Sequence, residues 1–209
     1  MERVAHYIEA LYAEKKGLNK KEYIDQTALK AFIPVVDDDV ARILQLLIML
    51  KRPARILEIG TSIGYSTSSM AKAIQTWDGR ITSIEYDERV AAQAQENFRR
   101  EGVDDVIELV IDDARKALPR LEPQYDLIFQ DADKHLYPDL FEECVRLLKP
   151  GALFLAEDTL FPVIDLDPKW HGLIAPIERF NKLIAGDERI VSTILPVGDG
   201  LTIAIKKAP

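Results

Sequence analysis

The sequence predicts an α/β chain built on a mostly parallel seven-stranded sheet, with an antiparallel last strand and helices on both faces. Three observations carry that expectation. From Arg55 onward, short apolar runs alternate with stretches long enough for helices, which is the pattern of a parallel sheet covered by helices. The last two runs are separated only by Gly198-Asp199-Gly200, a turn too short for anything but an antiparallel pair. The 209 residues suit one domain, and 47% hydrophobic residues are enough to fill its core.

In chain order, residues 1–50 read as a helical segment that caps the core or contacts another subunit, and residues 51–209 read as the core. Val4, Ile8, Leu11 and Tyr12 fall on one helical face, and a polar break follows at Lys15 to Lys21. Asp37, Asp38 and Asp39 then precede Val40, Ile43, Leu44, Leu47, Ile48 and Leu50, a helix with acids at its positive end. The strand-like runs are Arg55–Gly60, Ile81–Asp87, Val106–Asp113, Tyr125–Asp133 and Gly151–Asp158, followed by Ile190–Val197 and Leu201–Lys206. Helices are expected between them over Ser66–Gln75, Glu88–Glu101, Ala114–Leu121 and Tyr137–Leu148, the last stopped by Pro150-Gly151.

Composition narrows the function. A net charge of −8 opposes nucleic-acid binding, which depends on Lys and Arg neutralising phosphates, and it also opposes anionic membrane surfaces. Cys144 is the only cysteine, so no internal disulfide forms and a reducing compartment is expected. Met1–Leu11 lacks the apolar block of a secretory signal, and Ile43–Leu50 is far too short to span a bilayer. The expectation is a cytoplasmic protein acting on a small molecule.

Ligands of open parallel sheets sit at the carboxyl ends of the strands, near the point where strand order reverses. After the first strand, Gly60 and Gly64 permit a tight turn, but their spacing matches neither a dinucleotide fingerprint nor a phosphate loop. Glu58, expected at the mouth, would repel a pyrophosphate and suit an ammonium- or sulfonium-bearing ligand. Glu85 follows the second strand, where an acid suits a bidentate hydrogen bond to ribose hydroxyls. Together with the reversed last strand, these residues point to an adenosylated ligand.

The segments LEIGTSIGYSTSSMA, ITSIEYDE, YDLIFQDADKHLYPDLFEECVRLLKPGALFLAEDTLFP and LPVGDGLTIAIKK resemble the class I, cation-dependent O-methyltransferase family, which includes catechol and caffeoyl-coenzyme A O-methyltransferases. The resemblance spans Phe32 to Lys207. It implies a Rossmann-like methyltransferase fold, S-adenosylmethionine as cofactor, a divalent cation (Mg²⁺ or Ca²⁺) and a homodimer. Glu58, Gly60, Tyr65 and Ser66 would lie around the methionine part of the cofactor, Glu85 at the ribose, Asp113 and Ala114 at the adenine, and Val36 along the border of the site. Asp131 would serve both cofactor and metal, with Glu157 and Asp158 as the other metal ligands and Lys134 as the general base.

The residues fit that chemistry. Methyl transfer is an in-line displacement from a cationic sulfur to an oxygen, so the protein must align the two atoms and make the hydroxyl nucleophilic. A phenol has a reference pKa of about 10, and a divalent ion or a nearby base would ease loss of its proton. Carboxylates at adjacent strand ends suit Mg²⁺ or Ca²⁺. Two departures from the family stand out: Glu157-Asp158 replaces its usual Asp-Asn, and His135-Leu136 stands where relatives often carry a charged residue and then Asn. Lys134 has a second reading as a counter-charge among acids, which would raise its pKa and oppose a role as base. A metal-independent methyltransferase and a non-catalytic cofactor-binding module remain open alternatives, while the missing fingerprint opposes a nicotinamide enzyme. Cys144 and Trp77 read as packing, and His6, His171 and Cys144 have no zinc spacing. Trp170 reads equally as structural or as part of a substrate-covering loop.

Overall fold

In the computed structural model, which describes residues 7–8, 10–12, 17–29 and 34–208, the strands are β1 (Arg55–Ile59), β2 (Arg80–Glu85), β3 (Ile107–Ile111), β4 (Tyr125–Gln130), β5 (Leu148–Ala156), β6 (Ile190–Leu195) and β7 (Leu201–Lys206). They form one sheet in the order β3-β2-β1-β4-β5-β7-β6. All neighbours pair in parallel except β7, which runs antiparallel to both β5 and β6. Described residues 7–8 and 10–12 are helical, and beyond them the α-helices are α1 (Lys20–Asp25), α2 (Asp38–Lys51), α3 (Tyr65–Ile74), α4 (Glu88–Glu101), α5 (Ala114–Ala117), α6 (Tyr137–Leu147) and α7 (Ile174–Gly186). The expected fold class is the observed one.

Alternate strand residues feed two cores, one on each face, as the two-residue period of a strand requires. Leu57, Ile59, Ile128 and Phe154 pack with α6 and α7 residues such as Phe141, Cys144 and Phe180. Ile56, Leu127, Phe129 and Leu155 pack with Leu44 and Ile48 of α2, Met70 of α3 and Phe98 of α4. Strand order reverses between β1 and β4, whose registers level their carboxyl ends through Ile59↔Gln130. That reversal opens the crevice where a ligand belongs.

Several boundaries differ from expectation for local reasons. β5 starts at Leu148, and Pro150-Gly151 lie inside the strand instead of ending a helix. The β4–β5 register jumps between Tyr125↔Leu148 and Leu127↔Leu153, an irregularity that accommodates a proline without an N–H and Gly151 at φ 75°. The helix expected over Ala114–Leu121 is α5 followed by a 3₁₀ turn at Leu118–Arg120, because Pro119 cannot donate to an α-helical ladder. β2 stops at Glu85, since Asp87 caps α4 by accepting from Arg89 N and Val90 N. Near the amino end, α1 begins inside the expected polar break, capped by Asn19. Val4 and residues 13–16 lie outside the described residues, and Leu11 and Tyr12, expected on an apolar face, are 62% and 42% exposed.

Gly60 holds the crevice closed at its base. Its φ is 97°, and a Cβ placed on it would stand 2.4 Å from the backbone oxygen of Asp131. Gly60→Ala therefore combines a strained backbone with an overpacked contact and is expected to lower the unfolding free energy by about 3 kcal/mol. Urea denaturation checks this, and an unshifted midpoint would show that the two backbones do not meet.

Candidate active site

The end of β1 and the first turn of α3 enclose Glu58. Its side chain is fully buried and accepts from Ser66 Oγ at 2.6 Å, Ser83 Oγ at 2.6 Å and Thr67 Oγ1. Thr61 Oγ1 lies 2.6 Å from Ser83 Oγ and extends the cage. Burial pushes the Glu58 carboxyl up to about 7 against the pull of those hydroxyls. The expectation of Glu58 at the mouth is corrected: even residues of β1 face α3, so its carboxylate lies beneath the turn, tied to Ser66. Tyr65 is also buried, donating its hydroxyl to Asp38 and meeting the Tyr23 ring edge-on at 5.3 Å.

Glu85, the last residue of β2, is oriented by two backbone donors, Ser62 N at 2.8 Å and Asp87 N at 2.9 Å, one to each carboxylate oxygen. Asp113 caps α5 and pairs with Arg115 at 2.6 Å, and the Arg115 hydrogen bonds hold its carboxyl down to about 2. Ala114 and Val36 are buried beside the rim. Tyr86, not singled out from the sequence, follows Glu85 and is 76% exposed. An aromatic directly after an acid at a strand end was the available signal.

Asp131 follows β4, and Glu157 and Asp158 follow β5, side by side because Gln130 pairs with Ala156. One carboxylate oxygen from each of the three lies within 4.8 Å of the others. Asp158 adopts φ 62°, a region that Asn and Asp tolerate better than most residues. Lys134 reaches into the cluster from a 3₁₀ turn capped by Asp133. Its Nζ lies 2.6 Å from Asp131 Oδ1 and 2.9 Å from Asp158 Oδ2, and the residue is only 8% exposed. Beneath them Tyr137 donates to the carbonyls of Gln130 and Glu157, bracing both strand ends.

Electrostatics divide these groups. Burial raises Asp131 to about 6 despite Lys134, and burial with a hydrogen bond shared with Asp158 holds Glu157 well above the usual carboxylate range. Burial opposes the charge of Asp158 as well, but the Lys134 ammonium brings it below its ordinary value. Lys134, disfavoured by its own burial, is held protonated by the carboxylates around it. Two further acids press on the cluster. A Cβ on Gly198 would stand 3.2 Å from Glu157 Oε1 and 3.8 Å from Asp37 Oδ2, and Asp199 is raised by burial and by Asp158 and Asp37. Lys20 pairs with Asp37 at 2.7 Å. Acids outnumber ammonium groups here, and hard oxygen donors converge from two strand ends. That donor set fits a divalent cation.

Other candidates resolve simply. Cys144 is buried, and burial raises its thiol, so it is inert packing. Trp77 donates to the carbonyl of Pro53 at 3.0 Å. His135 pairs with Asp133 at 2.9 Å on the exposed side of the turn. Trp170 is 38% exposed in the 3₁₀ turn Pro168–Leu173.

Residues 13–207 match the O-methyltransferase family. The chain is 34% identical to a catechol O-methyltransferase of Niastella koreensis, covering 99% of this chain and 97% of that protein. It is 30% identical to a caffeoyl-CoA O-methyltransferase of Populus kitakamiensis, covering 79% and 75%. Among solved structures it resembles the O-methyltransferase from Bacillus cereus in complex with SAH, at TM-score 0.80 and 29% identity over 95% of this chain and 96% of that one.

The buried Glu58 has a consequence for stability. The folded protein keeps its proton up to about 7, whereas the unfolded chain releases it near 4.5. Between those values the folded state binds more proton, so the contribution of this group to stability falls as pH rises. Glu58→Gln removes that decline, and the stability of the variant relative to the parent is expected to improve from about pH 5 to about pH 8. Urea midpoints across that range test it, and parallel curves would contradict it.

Proposed function

The chain belongs to the O-methyltransferase family, and on that premise we propose that it methylates a hydroxyl of a small catechol-like or other diol acceptor with help from a divalent cation. It is an S-adenosylmethionine-dependent O-methyltransferase. The observation that carries the finer reading is the convergence of Asp131, Glu157 and Asp158 around Lys134.

In this reading Glu85 receives the ribose hydroxyls, and the backbone around Gly60 lies along the methionine portion, flanked by Val36 and Asp131. Asp113 and Ala114 border the adenine. Glu58 contributes from beneath, by fixing Ser66 and the first turn of α3. Asp131, Glu157 and Asp158 would hold the cation, which when bound supplies Lewis acidity toward the acceptor hydroxyl. Lys134 Nζ is the group placed to take the hydroxyl proton. Its protonated state follows from the surrounding carboxylates, so its use as a base depends on their charge being offset. Two of the three carboxylates already pair with Lys134, which is the one observation favouring a cation-free methyltransferase instead.

The same proposal takes the chain as one cytoplasmic domain that forms a homodimer through its first fifty or so residues. Leu46, Met49 and Leu50 expose an apolar outer face on α2, which supports a subunit contact there. Among the described residues no helix is long and apolar enough to cross a membrane.

Calorimetric titration of Mg²⁺ into metal-free protein saturated with S-adenosylhomocysteine is expected to show saturable binding that Asp131→Ala abolishes. No binding, with the adenosyl ligand demonstrably bound, would rule out the cation. Lys134→Ala is expected to lower kcat by about 10²–10⁴-fold while leaving affinity for S-adenosylhomocysteine intact. A loss below tenfold would remove Lys134 as the base.

A further inference from the structure

The turn that receives the methyl donor is conformationally demanding. Gly60, Ser62 and Gly64 all have positive φ, at 97°, 52° and 87°, and Ser62 has no glycine's excuse for it. Such a turn persists only where its surroundings over-determine it. Part of that restraint is local: Gly60 N and Thr61 N donate to Ile84 O, Gly64 N donates to Thr61 O, and Ser62 N reaches Glu85.

The rest comes from distant segments. Tyr23 of α1 donates its hydroxyl to the carbonyl of Gly64 at 2.9 Å and shares a second hydrogen bond with Ser68 Oγ at 2.9 Å. Asn97 of α4 donates Nδ2 to the carbonyl of Ile63 at 2.9 Å. Both side chains are buried, at 2% and 0% exposure. Neither is an isolated polar group. Asn97 Nδ2 also reaches Thr27 Oγ1 at 3.2 Å, and its Oδ1 accepts from Arg100 at 2.7 Å and Gln93 at 3.3 Å. The Tyr23 ring stands between Tyr65 and the Arg100 guanidinium, 4.9 Å from its centroid. Lys20 N donates to Asp38, the residue that also takes the Tyr65 hydroxyl, so α1 is tied to the start of α3 through its first residue as well as through Tyr23.

Peptide units are planar, so a pinned carbonyl also sets the direction of the following N–H. Holding Ile63 O and Gly64 O therefore fixes two consecutive peptide planes at the entrance to α3, where Ser66 and the turn meet the ligand. We infer that Tyr23 and Asn97 are positioning residues for the methyl donor, holding the Ser62–Gly64 turn in the shape that receives the adenosyl ligand before it arrives. The inference rests on the methyltransferase reading above. Its physical content is preorganisation: with the two carbonyls released, the turn must be ordered at the moment of binding, and the cost moves into the dissociation constant.

Tyr23→Phe keeps the ring and removes only the hydroxyl. It is expected to weaken S-adenosylhomocysteine binding by about three- to tenfold, the range for losing one or two net hydrogen bonds. KM for S-adenosylmethionine should rise by the same factor, with kcat within about twofold of the parent. Asn97→Ala should act in the same direction, and where it fails to fold, Tyr23→Phe decides alone. A Tyr23→Phe protein that melts earlier without ligand yet binds S-adenosylhomocysteine with the parent affinity has lost only a structural contact, and that result overturns the inference. Failure of the parent itself to bind S-adenosylhomocysteine overturns the methyltransferase reading, and this inference falls with it.

Discussion

Two backbones meet where β1 and β4 end, and the geometry of the crevice follows from that meeting. Gly60 turns away from the sheet within van der Waals reach of the Asp131 carbonyl, with no room for a side chain between them. Because β1 and β4 are level at Ile59↔Gln130, the contact places the first residue beyond each strand on a common floor. One side of that floor is the turn leading to α3, and the other is the acid cluster. A methyl donor on one side and an acceptor on the other would then be aligned by backbone geometry that hardly depends on side-chain rotamers.

The two sides of the floor use acids in opposite ways. Glu58 accepts from three hydroxyls and is buried deeply enough to be raised to about 7, so it acts as a structural knot between β1, β2 and α3. Asp131, Glu157 and Asp158 draw their charge compensation from Lys134, with Lys20 contributing from beside Asp37, while Asp37 and Asp199 add to the surplus. An enclosed surplus of negative charge stores a preference for positive charge. Asp158 adds to that preference and is also where Lys134 finds its second partner.

Much of this was legible in the sequence because strand ends are easy to locate. Glu85, Asp131, Glu157 and Asp158 each directly follow or close an apolar run, and a parallel sheet lines such ends up. The antiparallel last strand followed from a three-residue turn. What escaped depended on facing and on distance along the chain. Glu58 looks like a mouth residue until the hydroxyls of Ser66, Thr67 and Ser83 are known to close over it. The early start of β5 was hidden by Pro150-Gly151, which normally ends structure but here forms an irregular strand start. Tyr23 and Asn97 lie 41 and 34 positions from the carbonyls they hold, and no local pattern marks such a pair.

The position of β7 has a consequence for how the protein comes into being. β7 is last in chain order but lies inside the sheet, between β5 and β6. During synthesis the parallel half can assemble as it leaves the ribosome, while β5 presents an open edge and β6 has no partner to pair with. Only when β7 emerges does it zip between them, and its preceding turn, Gly198 to Gly200, then settles against Glu157 and Leu160. The surroundings of the acid cluster are thus among the last regions to be completed, and in a nascent chain Glu157 lacks its neighbouring turn while the sheet edge remains open.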